Sequence, residues 1–145
     1  MTKKIKKFSR VKSQKETGLV SGIRRLTEGL VYISELDAAI QVFIGEAGEE
    51  TSGASILKQL GGNDDLPVEE VSFDQFFSRL TKTEDRYSDK EKQIVWRFRK
   101  LKEFLESNLD NLKVFRIGRV QIDIYVVGVD KKGRLIGIRT RSIET

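Results

Sequence analysis

The side chains that most often carry catalysis or bind metals are missing from this sequence. Its 145 residues include no His and no Cys. A Ser-His-Asp triad, an imidazole general base, a thiolate nucleophile and zinc sites with His or Cys ligands are therefore excluded for this chain alone. The chemistry that is left depends on carboxylates, hydroxyls, lysines and arginines.

The carboxylates of the central region include three adjacent pairs: Glu49/Glu50, Asp64/Asp65 and Glu69/Glu70. In a loop, both members of such a pair are able to face one cation, whereas in a strand they point to opposite faces. A glycosidase-like pair of acids stays open, but no acid is marked by an apolar setting in a cleft. We therefore expect no metal site of the chain's own and no cofactor.

Nucleotide binding is not indicated by the glycines. The two glycine-rich pieces, Gly45–Gly48 and Gly61–Gly62, match neither the P-loop pattern nor the dinucleotide fingerprint. With these motifs and the His and Cys chemistries absent, an enzyme is the least favoured functional class.

The charges of the chain are divided into blocks. Residues 1–16 carry a net charge of +6, although the whole chain carries only +5. Residues 26–70 contain ten carboxylates and one cation, Lys58. The folded body of a nucleic-acid-binding protein usually has basic residues throughout. The acidic segment instead indicates a partner that is itself basic.

The pattern of apolar residues predicts the elements that must position these charges. A stripe at helical spacing from Leu19 to Ile33 predicts a helix that ends near Ser34–Glu35. A short strand follows at Ile40–Gly45, then a short helix through Leu60, and an edge strand at Pro67–Val71. Ser72 is placed to cap the next helix.

The second half of the chain predicts a long helix and a β-meander. Ser88 and Glu91 form a capping box for a helix that reaches Leu109, with Trp96 among the residues that widen its buried stripe. Strands are expected at Val114–Ile117, from Val120 to Val126, and at Leu135–Thr140, with a hairpin turn at Asp130–Gly133.

The resulting order, α-β-α-β-α-α-β-β-β, predicts an α/β (α+β) fold with a mixed sheet covered by helices. We expect a single domain over residues 17–145, preceded by a flexible basic arm, residues 1–16. No window is apolar enough for a signal peptide or a membrane span, so we expect a cytoplasmic protein that does not enter membranes.

Two further groups of residues have a structural and a functional interpretation. The aromatic residues Phe73, Phe76, Phe77 and Trp96 are expected in the core, although they would also suit base stacking. The basic C-terminal hairpin either binds phosphates or keeps exposed strand edges from pairing.

Several spaced segments resemble one family of proteins. The segments are Glu28–Glu35, Phe73–Arg79, Val114–Gly118, Asp123–Gly128 and Leu135–Thr145. Together they are similar to the nuclease A inhibitor family, small bacterial proteins that block sugar-nonspecific ββα-metal endonucleases acting on DNA and RNA. The resemblance covers about residues 20–145 and implies a three-layer α/β/α sandwich with a mixed sheet.

The resemblance also implies which residues contact the partner. Glu35 matches the glutamate that enters the nuclease cleft, and Thr145 matches the terminal threonine that approaches the partner's Mg²⁺. Arg86 and Tyr87 match a further contact loop, where Arg86 departs from the aromatic residue of the family pattern. Glu144 adds a carboxylate beside Thr145, and oxygen ligands of this kind suit Mg²⁺.

These observations favour a non-catalytic inhibitor that forms a 1:1 complex with a sugar-nonspecific endonuclease and blocks its active site. The alternative is a nucleic-acid-binding accessory protein that uses the basic arm and the C-terminal hairpin. A diverged interaction domain with a different partner is the third possibility.

Overall fold

The computed structural model describes residues 18–47 and 66–145. These residues contain three helices: α1 (residues 18–27), α2 (Phe73–Leu80) and α3 (Asp89–Asn108). The strands are β1 (Val31–Tyr32), β2 (Ala38–Ala39), β3 (Gln41–Ala47), β4 (Val68–Val71), β5 (Asp110–Gly118), β6 (Gln121–Val129) and β7 (Arg134–Ile143). The fold class is therefore α+β. The expected basic arm and the short helix expected before Leu60 lie outside the described residues.

Five strands form one sheet in the order β3-β7-β6-β5-β4, and β1 pairs separately with β2. Each of these pairings is antiparallel, so the mixed sheet expected from the sequence is wrong for the described strands. Tight turns connect β5 to β6 and β6 to β7, and such turns join only antiparallel neighbours. The edge strands β3 and β4 pair antiparallel as well, although no tight turn connects them to their neighbours.

The helices cover one face of this sheet. The main core contains Ile23 of α1, Phe77 of α2 and Leu101 of α3, packed with Ile124 and the other sheet residues of that face. A second buried cluster, formed by Phe43, Phe115, Ile117, Tyr125, Val127 and Leu135, lies on the opposite face. The helical layer on the first face is one layer of the sandwich that the resemblance implies; the third layer stays a prediction.

The first helix is shorter than its apolar spacing predicts. It ends at residue 27, where the Leu30 N–H donates to the Thr27 carbonyl at 2.9 Å and Gly29 takes a φ of +71°. A left-handed glycine is a common helix stop. The predicted end near Ser34–Glu35 is therefore wrong, and the segment that follows Gly29 forms the β1–β2 hairpin, which the predicted order omits.

The two later helices begin as predicted. The Ser72 hydroxyl accepts from the Gln75 N–H at 3.0 Å, and Ser88 and Glu91 form the expected capping box. β4 is the predicted edge strand. The prediction that Trp96 is buried is wrong. Trp96 is 52% exposed on the outer face of α3, with Lys100 Nζ 5.4 Å from the ring centroid. None of the helices in the described part is long and apolar enough to cross a membrane.

Candidate functional site

A groove at one end of the sheet contains three of the five residues expected to contact a partner. It has a volume of about 770 Å³ and lies between the β1–β2 hairpin, α2, β4 and the end of the chain. Glu35, Glu144 and Thr145 line it, together with Glu69 of β4 and Arg116 of β5. We call this surface the terminal groove.

Glu35 and Thr145 are in direct contact, although they are 110 positions apart in the sequence. The Thr145 Oγ1 hydroxyl donates to Glu35 Oε1 at 2.7 Å, and the pair is exposed to solvent. The hydroxyl thereby orients one oxygen of the carboxylate. Two residues that the resemblance implies for partner binding thus form one contact site.

The β1–β2 hairpin that carries Glu35 is tied to the end of β7 by Ser34. The Ser34 hydroxyl accepts from the Ile143 N–H at 3.1 Å and donates to the Leu36 carbonyl at 2.9 Å. On β2, the Ala39 carbonyl accepts from the Thr140 hydroxyl at 3.0 Å. These bonds set the position of the short hairpin relative to the last strand.

Arg116 organises the other two carboxylates. Its side chain is only 15% exposed, it lies 3.3 Å from Glu69, and it donates a charge-assisted hydrogen bond to Glu144. The Ser142 hydroxyl also donates to Glu144, at 2.7 Å. The groove therefore contains a positioned pair of acids around one half-buried cation.

The same contacts change the ionisation of the groups involved. The hydrogen bonds from Arg116 and then from Ser142 hold the pKa of Glu144 below its ordinary value. Burial of Arg116 acts to lower its pKa, but the hydrogen bond and the negative charge of Glu144 outweigh burial and raise it. Both groups therefore stay charged at neutral pH.

The groove is only mildly acidic. Its three carboxylates are accompanied by Arg79 of α2 and by Arg116, which is already paired. Glu49, Glu50, Asp64 and Asp65 of the acidic segment lie outside the described residues. Within the described ranges, no group of three or more acidic side chains is arranged to hold a metal ion.

Arg86 and Tyr87 lie apart from this cluster, in the loop between α2 and α3. They do not line the terminal groove. Arg86 Nε contacts Glu84 Oε2 at 2.5 Å with its side chain 80% exposed, and the Tyr87 N–H donates to the Glu84 carbonyl at 3.0 Å. Their part in partner binding stays a prediction.

The arginines of the C-terminal hairpin contact neighbouring side chains. Arg141 pairs with Asp123 at 3.1 Å, Arg134 lies 3.8 Å from Asp130, and Arg139 donates to Gln41 at 3.3 Å. These strands are interior to the sheet, so protection of exposed edges is not the reason for their charges. Acid partners offset the charges of Arg134 and Arg141, whereas Arg139 keeps its charge beside the neutral Gln41 amide, so phosphate binding by the hairpin stays a prediction.

Sequence reasoning missed Ser34, Glu69, Arg116 and Ser142 as parts of the site. One signal was available for Arg116, because it interrupts the apolar strand Val114–Ile117 on the side that faces the helices. A charge at such a position needs a partner. No local pattern indicates that its partners are Glu69 and Glu144.

A comparison with known proteins identifies the family of the chain. The family described as nuclease A inhibitor-like protein matches residues 17–145. No curated protein matches the chain. The family match includes every residue of the terminal groove and begins directly after the basic segment 1–16. The chain belongs to the nuclease A inhibitor-like family.

Proposed function

We propose that this chain is a non-catalytic inhibitor that blocks the active site of a sugar-nonspecific ββα-metal nuclease in a 1:1 complex, in the cytoplasm of a bacterium. The observation that carries the proposal is the hydrogen bond between Thr145 and Glu35. It joins two residues that the family resemblance implies for binding, in a chain that belongs to this family.

The chemistry of the groove suits such a target. A nuclease cleft that binds phosphates is positively charged and holds a hard divalent cation. Carboxylates such as Glu35 and Glu144 imitate the charge of the phosphates, and the Thr145 hydroxyl is an oxygen group of the kind that Mg²⁺ accepts. The metal belongs to the nuclease, and the inhibitor needs no cofactor.

The α2–α3 loop is proposed as a second contact to the nuclease. A cation at Arg86 is unfavourable opposite an arginine-rich cleft, but Glu84 pairs with it and offsets its charge locally. Tyr87 follows in the same loop and supplies an aromatic contact of the type enriched in interfaces. This arrangement accommodates the departure from the family pattern without requiring a different class of target.

A test requires the nucleases of the source organism. Each of its ββα-metal nucleases is purified and assayed for cleavage of plasmid DNA and of RNA with Mg²⁺ present, while the chain is titrated in. We expect one nuclease to lose activity at an equimolar ratio and to co-elute with the chain. If all of them cut both substrates in the presence of excess chain, the proposal is wrong.

A second measurement separates the proposal from its alternative. Retention of labelled DNA or RNA on a gel is measured with the chain alone. An accessory nucleic-acid-binding protein would retain nucleic acid without any nuclease, with an affinity that falls steeply with salt. We expect inhibition to persist at salt concentrations that abolish any such retention.

A further inference from the structure

Large apolar side chains are exposed on both sides of Glu35. Ile33 is 69% exposed and Leu36 is 65% exposed, the two highest values for large hydrophobic residues in the described part of the chain. Val120, at 52%, belongs to the same region, because its carbonyl accepts the Glu144 N–H at 2.8 Å. A group of exposed apolar side chains that is bordered by polar residues is a common feature of protein–protein interaction sites.

The hairpin presents these side chains in a defined position. Ser34 lies between Ile33 and Glu35, and its hydroxyl bonds both to Leu36 of the same turn and to Ile143 of β7. Glu35 is bonded in addition to Thr145. A loop that is already ordered loses less conformational entropy when it binds, so its apolar groups contribute more to affinity.

We infer that Ile33 and Leu36 are apolar anchors that bury themselves against hydrophobic surface at the border of the nuclease's cationic cleft, on either side of Glu35. The inference rests on the proposed function and adds the chemistry of the partner surface: a basic cleft with an apolar border. Ile33 itself lines the terminal groove beside Glu35, and Leu36 follows Glu35 in the same turn, bonded through its carbonyl to Ser34.

A second copy of this chain is a poorer occupant of the surface. A two-fold interface places the same patch on both sides, so the patch with Glu35, Glu69 and Glu144 would face a second patch that carries the same three carboxylates. Like charges facing each other across an interface are unfavourable. A basic partner with apolar margins complements both features of the patch.

The two kinds of contact affect different rate constants. Charged groups act over a distance and mainly change the association rate, whereas short-range apolar contacts form after encounter and mainly change the dissociation rate. Loss of the two anchors should therefore accelerate dissociation and leave the salt dependence of association unchanged.

The test uses the full chain and the purified nuclease that the wild-type chain inhibits. The variant Ile33→Thr/Leu36→Gln is compared with Ile44→Thr, which removes an exposed isoleucine of β3, outside both the β1–β2 hairpin and the groove. Association and dissociation rates are measured by surface plasmon resonance at low and high salt, and melting temperatures are recorded for each protein.

We expect the double variant to dissociate about 10- to 100-fold faster, with an association rate within about threefold of wild type. Ile44→Thr should dissociate like wild type, and all three proteins should melt alike. Equal dissociation of the double variant and wild type would overturn the inference and leave the inhibitor proposal standing. If the wild-type chain inhibits none of the nucleases, the inhibitor proposal and the inference both fall.

Discussion

The Glu35 carboxylate is hydrogen-bonded to the side chain of Thr145 in the free protein. Its Oε1 accepts from Thr145, so the carboxylate is oriented before a nuclease arrives. Glu69 and Glu144 are oriented by Arg116 instead. Of the three groove carboxylates, Glu35 has no ion pair among the described residues, and its charge is therefore the one we expect to pair with the partner.

Replacement of Glu35 tests this assignment. We expect Glu35→Gln to weaken inhibition by about 2–5 kcal/mol, the usual cost of removing one member of a buried charge pair at an interface. Glu70→Gln is the matched control, because Glu70 is exposed on β4 and does not line the groove. Inhibition constants for the two variants are compared. An equal loss in both would indicate diffuse attraction and would argue against an anchor at Glu35.

The Thr145 hydroxyl has a separable role. Thr145→Val keeps the shape of the side chain but cannot donate to Glu35, whereas Thr145→Ser keeps the donor. We expect the valine variant to inhibit more weakly, by about 1 kcal/mol or more, because an oriented hydrogen bond is lost. Serine should restore inhibition, and neither change should alter the melting temperature, since the bond is exposed. Full inhibition by the valine variant would contradict this role.

The ionised Glu144 side chain is expected to contribute to the stability of the folded protein in a pH-dependent way. Its pKa is lowered from the ordinary value of 4.5 in the folded protein by the hydrogen bonds from Arg116 and Ser142. A depressed pKa contributes stability above the unfolded value, and this contribution is lost as pH falls through the folded value. Urea unfolding from neutral to acid pH should therefore show a smaller acid loss for Glu144→Gln than for wild type. Identical pH profiles for the two proteins would show that the contacts of the Glu144 carboxylate do not stabilise the folded protein.

The starts of α2 and α3 could be predicted from the sequence, because the residues that determine a helix start lie close together in the chain. The capping Ser72 and Ser88 and the buried stripe of α3 were readable, because a cap and its acceptor lie within one turn. The end of α1 was missed, since Leu30 and Ile33 continue the helical spacing by coincidence beyond Gly29. Trp96 was misplaced because periodicity alone does not say how wide the covered face of a helix is.

The site depends on contacts that no local pattern contains. The Ser34 bond to Ile143 spans 109 positions, and the bond between Arg116 and Glu144 spans 28. The sequence predicted Glu35, Glu144 and Thr145 as site residues, mostly through the family resemblance. It did not predict that Ser34 and Arg116 would hold them.

The Ser34 hydroxyl is expected to hold the β1–β2 hairpin in position for binding. Ser34→Ala removes the bonds to Ile143 and Leu36, so we expect faster amide exchange at Ile143 and weaker inhibition by about 1 kcal/mol. Ser34→Thr retains a hydroxyl and should restore both properties. Unchanged exchange at Ile143 in the alanine variant would show that the bond does not position the hairpin.

The excess of positive charge and the residues of the terminal groove belong to different parts of the sequence. Residues 1–16 carry a net charge of +6 and the whole chain carries +5, so residues 17–145 carry a net charge of −1. The family match likewise begins at residue 17. We therefore expect the inhibitory surface to lie within residues 17–145 and the basic segment to have no part in it.

Deletion of residues 1–16 should therefore leave cooperative unfolding and the inhibition constant unchanged. Circular dichroism during heating and a nuclease titration measure the two properties. The same deletion should abolish any retention of DNA by the chain alone, since residues 1–16 carry the largest excess of positive charge. A lower melting temperature or weaker inhibition would show that the basic segment contributes to the folded domain or to the complex.

Competition between the chain and nucleic acid shows whether the terminal groove blocks the active site of a nuclease. The affinity of the chain for a cleavage-deficient variant of its target nuclease is measured at increasing concentrations of duplex DNA. We expect the apparent Kd to rise in proportion to the DNA concentration, because both ligands need the same cationic cleft. An apparent Kd that stays constant at saturating DNA would place the chain elsewhere on the nuclease and would show that the terminal groove does not block the active site.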